Sequence, residues 1–447
     1  MGAEQQYIDL FEQYLSLLDQ GGAPALNALR QQAMQDFAAQ GFPTLKQEEA
    51  RYTDVPALFA PDYGLNLRRT LVPTREGEIF QCEVPNMSTQ LYLIVNDMFH
   101  SASHASAQLP DGVLAGSLRE MALSHPGLVE KYYGRLAPTK TDAITALNTA
   151  YCQDGFFIYV PKGVRVPKVQ QLVNLNHAGA DLMSHRRLLI ILEDNAELSL
   201  LSCDHTLDEH QFLSTQVCEI YVGKGASFDL YELEETHHLT RRCANLYLEQ
   251  QADSRVLLDN MTLHNGITRN RVHASFEGEG AKLALMGMAI SDKQQHVDNL
   301  TFIDHKVPRC TCQELYKYVL DGQAVGAFAG KILVRPGAQQ TDAQQTNKNL
   351  CMTRTARMYS QPQLEIYADD VKCSHGSSTG QLDESALFYM QTRGIPPHEA
   401  RLLLMNAFVA DVIGQVRIPA LADRLRHLVE KRFRGEMQKC KGCKMCK

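Results

Sequence analysis

Between Gly155 and Leu285 the chain settles into short segments with a period of two, divided by small-residue turns at nearly even spacing. The segments are Gly155–Val160, Arg187–Leu192, Glu197–Leu201, Cys218–Val222, Ser227–Tyr231, Asn245–Leu248, Arg255–Leu258 and Lys282–Leu285. Side chains two apart on a strand share a face, so each segment reads as a strand with an apolar side. The turns Asn195-Ala196, Gly223–Ala226, Gln251-Ala252 and Gly278–Ala281 recur at roughly 26 to 30 residues, the period of solenoid coils rather than of a sandwich. Pro336–Ala338 is a later turn of the same kind. One coil cannot bury its inner face alone, so stacked coils share a continuous core. The turns are too varied to establish a parallel β-helix by themselves.

Helical patterns flank this region. Tyr7, Ile8, Phe11, Tyr14, Leu15 and Leu18 form one apolar stripe at three- and four-residue spacing. Gly21-Gly22 breaks it, and a second helix is expected over Ala23–Gln40. The stretch from 55 to 150 is mixed, with a strand at Gln90–Val95 and short helices near Ser117–Ala122 and Thr141–Ala150. After Gln381 the chain turns helical again. Asp383 is placed to cap a helix with Leu387, Phe388 and Tyr389 at its core. Pro396-Pro397 opens a second helix, apolar on more than one side, and Pro419 opens a third. The third carries Arg424, Arg426, Lys431, Arg432 and Arg434 on what reads as a solvated face. The expected organisation is 1–150 helical and mixed, 151–380 β-solenoid, 381–438 helical and 439–447 a Cys-rich tail.

The chain has 447 residues and a net charge of -7, without a block of like charge. That gives no electrostatic case for nucleic acid or an anionic membrane. No apolar run is long enough to span a bilayer, and the polar N-terminus lacks a secretion pattern. Twelve cysteines, mostly scattered singly, fit a reducing, cytoplasmic setting better than a disulfide framework.

The chemistry concentrates in Glu365–Ile395. Within it, Cys373 and His375 lie two apart, so on a strand they face one side together. A thiolate beside an imidazole suits a soft metal or an iron–sulfur cluster. The same pair also suits a small buried thiol next to a hydrogen-bonded histidine. The longer string, Cys373-Ser-His-Gly-Ser-Ser-Thr-Gly380 followed by a Phe388-Tyr389 helix, closely resembles the C-terminal signature of SufD-like members of the SufB/SufD family of iron–sulfur cluster assembly proteins. Other motifs resemble the family in order. They are Gly41-Phe-Pro-Thr-Leu-Lys-Gln-Glu-Glu-Ala-Arg-Tyr-Thr53 (with Ala50 where a Trp is usual), Gln295–His305, Gly330–Val334 and Pro336–Asn347.

The resemblance implies a mainly β fold, a right-handed parallel β-helix between N- and C-terminal helical domains. It implies pairing with a SufB-like paralogue and docking of a SufC-like ABC ATPase on the C-terminal helices, with a homodimer in isolation as the other arrangement. It also implies a transient iron–sulfur cluster at the subunit interface, with His375 and Cys373 beside it. Asp369 and Asp370 are candidates for holding the second ring N–H of His375. SufB-like chains carry a cluster-building cysteine where Ile366 stands here, so the resemblance implies a supporting partner rather than the principal carrier. Flavin is implied only for the assembled complex, and no residue here marks its site.

Cys310 and Cys312 share a strand face near His305 and could form a metal triplet, or simply pack. His237-His238 lacks zinc-type spacing. Cys440, Cys443 and Cys446 at Cys-x-x-Cys-x-x-Cys spacing suit a metal or cluster, with a fourth ligand from elsewhere. That tail supports an alternative reading, a self-sufficient iron–sulfur or metal carrier. No Gly-x-x-x-x-Gly-Lys-Ser/Thr loop is present, so ATP hydrolysis is expected in another subunit and the chain itself is not expected to be an enzyme. A β-helical carbohydrate-active enzyme would need paired carboxylates on adjacent coils, and the acidic residues here fall mostly at turns.

Overall fold

A computed structural model of the chain describes residues 2–67, 87–100 and 109–436. Its centre is a β-solenoid of about eight turns, built from two ten-stranded sheets. One sheet runs in space from Leu114–Ser117 through Gly155–Val160, Leu182–Leu192, Phe212–Val222, Thr240–Gln250, Ile267–Phe276, His296–His305 and Val325–Val334 to Arg357–Ile366. The other runs from Met98–His100 and its antiparallel neighbour Thr89–Val95 through Val169–Asn176, Glu197–Thr206, Ser227–Glu235, Arg255–His264, Lys282–Ser291, Thr311–Leu320 and Thr341–Cys351 to Val371–Gly380, and Gly64–Leu65 completes the first sheet by pairing with Leu182–Leu192. The coil strands pair in parallel, as successive coils require. Arg241 lies beside Ile267 and Val325 beside Arg357, so a coil takes from 26 to 32 residues.

The small-residue turns have a backbone cause. Asn195 and Asp253 take φ near 57° and 58°, which Asn and Asp tolerate better than other side chains. Gly225 and Gly280 take φ of 68° and 73°, where glycine meets no Cβ penalty.

The strands are longer than the sequence pattern indicates. Arg187–Leu192 is the apolar half of Leu182–Leu192, and Ser227–Tyr231 the apolar half of Ser227–Glu235. The remaining halves carry polar side chains inside the lumen. Arg186 and Arg242 both reach Asp204 across it, and Asn270 links Asn260 to Asn299. The lumen is therefore apolar along one side, from Leu188 and Leu200 to Ile332, and polar along the other.

Both outer faces are covered. N-terminal helices lie on the first sheet, where Arg187 is buried beneath them. It bonds Glu219 at 2.6 Å and Thr149 at 3.0 Å, while Glu219 also accepts the backbone N–H groups of Gly134 and Leu136. The helix expected over Ala23–Gln40 is two pieces, Pro24–Asn27 and Arg30–Gln40. Arg30, at the start of the second, is fully buried and donates to the carbonyls of Ala150 and Cys152. Ser117 and Asp142 cap two later helices, Leu118–Ser124 and Ala143–Tyr151.

The C-terminal helices Pro397–Ile413 and Pro419–Phe433 cover the second sheet, with Val409, Val412, Leu425 and Val429 against Leu257, Met286 and Met288. Arg432 is not on a solvated face. It is buried, and donates to Leu263 O at 2.6 Å and to Gln295 and Asp292 at 3.0 Å. No described helix is long and apolar enough to cross a membrane.

Two outcomes are expected. Glu219→Ala leaves a buried guanidinium unpaired and should cost about 3–5 kcal/mol in a denaturant titration. The second concerns pH. Burial raises the carboxyls of Asp97 and Glu314 to about 7 and of Asp259 to about 8. Their stabilising contribution is complete below the ordinary carboxyl range. It is lost as pH rises through the raised values, because the unfolded chain has already released those protons. Burial has the opposite effect on His185, lowered to about 3, and on His273 and His305, lowered to about 4. Their contribution is present above the ordinary imidazole value and lost as pH falls. Between the ordinary carboxyl and imidazole values the two effects oppose one another, and only the carboxyl loss continues above about pH 6.5. A Tm series should decline above it, and Asp259→Asn should flatten that alkaline decline.

Candidate functional site at the open end of the solenoid

The stack stops at two strands that nothing among the described residues pairs on their outer edges. They are Arg357–Ile366 in one sheet and Val371–Gly380 in the other. Reading from Glu365 alone, the sequence suggests one continuous strand into Cys373. The structure breaks it at Tyr367–Asp370, where the chain crosses between sheets and Asp370 receives the backbone N–H of Gln340. Each terminal strand keeps a row of unpaired N–H and C=O groups, the arrangement to which another strand can add.

Cys373 and His375 do share one face, and it is the inner one. Cys373 is in register with Ala343 and His375 with Gln345, both buried in the lumen. Cys373 is half-buried against the lumen core, while His375 at the mouth is exposed. Across the mouth, the hydroxyls of Ser360 and Ser377 join the two terminal strands at 2.7 Å. Ile366 is in register with the buried Val334, so an alkyl group stands at the rim on that side.

Burial pushes the Cys373 thiol above its ordinary value. The Ala343 backbone N–H opposes that shift, and Asp342 adds to it. Cys373 is thus mainly a thiol at neutral pH, and a soft metal has to displace its proton. Thiol and imidazole are two donors. A four-ligand cluster site needs others from outside this pair.

Other expected ligands are placed elsewhere. Asp369 and Asp370 are in the turn, and five residues of extended strand put about 16 Å between Asp370 and His375. Neither can hold its ring. Cys310 and Cys312 are buried, with Cys310 at the turn donating weakly to Gly278 O and Pro308 O, and burial raises both thiols. His305 is buried in the lumen against Phe276. Among the described residues, no three His, Cys, Asp or Glu side chains are arranged to hold a metal ion, so the triplet is not formed. His237 Nε2 donates to Asp208 O in the preceding coil's turn at 2.6 Å, while its Nδ1 accepts the Leu239 backbone N–H. Cys440, Cys443 and Cys446 lie outside the described residues.

The sequence did not foretell how the N-terminus reaches this end. The motif around Glu48–Thr53 straps the outside of the first sheet. Arg269 donates to Glu49 O, Thr53 bonds Asp298 at 2.5 Å, and Glu48 accepts from Gln361 and Gln363 on the terminal strand. Tyr52 stacks on Tyr359 at 4.6 Å.

The first C-terminal helix, Glu384–Thr392, follows the terminal strand directly. Asp383 caps it by accepting the N–H groups of Ser385 and Ala386. Phe388 and Tyr389, expected in its core, are 67% and 59% exposed, and the helix buries no residue.

Alkylation followed by mass spectrometry tests the site's electrostatics. In the native protein, Cys373 should react slowly at neutral pH, and its rate should climb only above the pH at which a free cysteine ionises. Cys312 should stay unmodified. A Cys373 that reacts as fast as a free thiol at pH 7 would contradict this.

Comparison with known proteins gives the geometry its context. The family model for the SufBD core domain of SUF-system FeS cluster assembly matches residues 174–408, and that for the SufBD protein N-terminal region matches residues 1–172. An iron–sulfur cluster assembly SufBD family protein of Synechocystis sp. is 27% identical over 422 residues, covering 92% of this chain and 89% of its own. The iron–sulfur cluster assembly protein SufD of Escherichia coli is 25% identical over 91% of this chain and 92% of its own. SufD of Bacillus subtilis is 26% identical over 79% of this chain and 81% of its own. With both family regions matched along the strands that build the solenoid, the chain belongs to the SufBD family of iron–sulfur cluster assembly proteins.

Proposed function

We propose that this chain is a SufD-like scaffold, not an enzyme. Its open end meets a SufB-like paralogue, and a nascent iron–sulfur cluster is built there as cargo, with His375 and Cys373 at its edge. The observation that carries this reading is the solenoid's end: two strands unpaired on their outer edges, one of which presents a thiol and an imidazole on its inner face. The paralogue's strands would satisfy the free backbone edges and supply the remaining ligands.

A SufC-like ABC ATPase would dock on the C-terminal helices, where Phe388, Tyr389 and Leu403 are exposed. The support is mechanical as well as apolar. Helices Pro397–Ile413 and Pro419–Phe433 are stapled to the solenoid by Lys317–Asp411, Arg417–Asp229 and Arg432–Asp292. A displacement of those helices therefore moves the solenoid as a body. ATP-driven closure of the ATPase would then alter contacts at the end face, as a lever with different contacts in two states requires.

Co-expression with candidate partners and affinity capture tests the proposal. Recovery with a SufB-like chain and an ABC ATPase is expected. His375→Ala should lower cluster yield while the complex stays intact, because an exposed side chain contributes within about 0.5 kcal/mol to folding. A stable cluster on the isolated chain, lost on deleting the Cys440–Cys446 tail, would overturn the proposal in favour of a self-sufficient carrier.

A further inference from the structure

One column of the second sheet changes character as it nears the open end. Leu200, Leu230, Leu258 and Leu285 stack in register on successive inner rungs. The same column continues as Glu314, Gln345 and His375. Adjacent strands lie about 4.8 Å apart, so Gln345 is directly beneath His375 and Glu314 one rung deeper. Glu314 and Gln345 are each 1% exposed. Four leucines show what the position accepts when only packing is required, and an acid with an amide there has a desolvation cost that packing does not offset.

The amide is oriented from below. Gln345 Nε2 donates to Glu314 Oε2 at 2.6 Å. It also reaches across the lumen to Gly330, where a Cβ would lie 2.2 Å from Nε2, so glycine at 330 is what leaves it room. With Nε2 committed, Oε1 is the free end. It is buried, and no described residue donates to it. An amide oxygen left so costs about 1–3 kcal/mol. On the rung above, Gly330 is followed in register by Pro362, which has no N–H to offer. The inner residue in register with Gln345 on the last rung is His375, whose ring does.

We propose that Gln345, held by Glu314, is a positioning residue for His375. Its Oε1 accepts one ring N–H and leaves the opposite ring nitrogen, with its lone pair, facing out of the end face. The inference rests on the function proposed above and adds the group that sets the histidine's tautomer. Histidines that ligate metals are usually held in this way through the second nitrogen.

The test is nitrogen NMR of the full-length chain labelled with 15N-histidine, with the His375 signals assigned from their loss in His375→Gln. Spectra are recorded at about pH 8.5, above the Glu314 carboxyl's value of about 7, so that it is ionised. One tautomer is expected in the wild type. A mixture is expected in Gln345→Met, which keeps the volume and removes the acceptor, and in Glu314→Gln, which frees the amide to turn. Iron affinity of the SufB-paired complex should fall about 10–100-fold in Gln345→Met. If Gln345→Met fails to fold by circular dichroism, Glu314→Gln carries the test. An unchanged tautomer in a folded variant overturns the inference. If the tautomer shifts as expected while His375→Ala leaves cluster yield untouched, the positioning stands and the proposed function falls.

Discussion

Each coil of this solenoid depends on the next for the burial of its inner face and for one of its two backbone edges. Among the described residues the last coil has no next. Parallel in-register stacking makes every inner position part of a column, so a residue's environment is set by how many rungs separate it from the end. Thr311–Leu320 and Thr341–Cys351 are satisfied on both sides, while Val371–Gly380 is satisfied on one. A stack that ends without a cap is open in the same sense as an edge strand, and its free backbone groups are a template to which another strand can add.

The rest of the molecule narrows where a strand can add. N-terminal helices cover one sheet and C-terminal helices the other, each fixed by buried arginines, Arg30 and Arg187 on one side and Arg432 on the other. The 41–53 motif adds a strap that reaches the terminal strand itself through Glu48 and Tyr52. This strap restrains Arg357–Ile366 from outside without occupying its hydrogen-bonding edge. The terminal coil is thus held in register while its edge stays available.

Much of this architecture was legible in the sequence where apolar contrast was strong. Glu197–Leu201 and Ser227–Tyr231 stood out because their inner residues are apolar, and the turns stood out because left-handed backbone selects Asn, Asp and Gly. The remaining halves of those strands were hidden because their inner residues are Asp204, Glu232 and Glu234. The strands that approach the open end, Thr311–Leu320 and Thr341–Cys351, were harder to read for the same reason. Glu314, Gln345, Asn347 and Asn349 keep the period of two but erase its hydrophobic contrast. Phe388 and Tyr389 failed differently, since an apolar stripe does not say whether its own chain or another covers it. At the site, the shared face of Cys373 and His375 followed from strand periodicity, but the group beneath His375 did not. Gln345 is 30 residues away in sequence and adjacent only through register.

Depth along the lumen also decides which thiol can serve. Cys312, Ala343 and Cys373 occupy one column, parallel to that of Glu314, Gln345 and His375. Cys312 is sealed and its thiol is raised well above the ordinary value by burial. A thiol there has no route to a metal and no reason to ionise. Cys373, two rungs outward, occupies the same column but is only half-buried and reaches the mouth, so burial opposes loss of its proton less than at Cys312. The same gradient separates the buried Gln345 from the exposed His375. On the last rung of these columns a donor reaches the mouth, while the dry, packed rungs below hold it still.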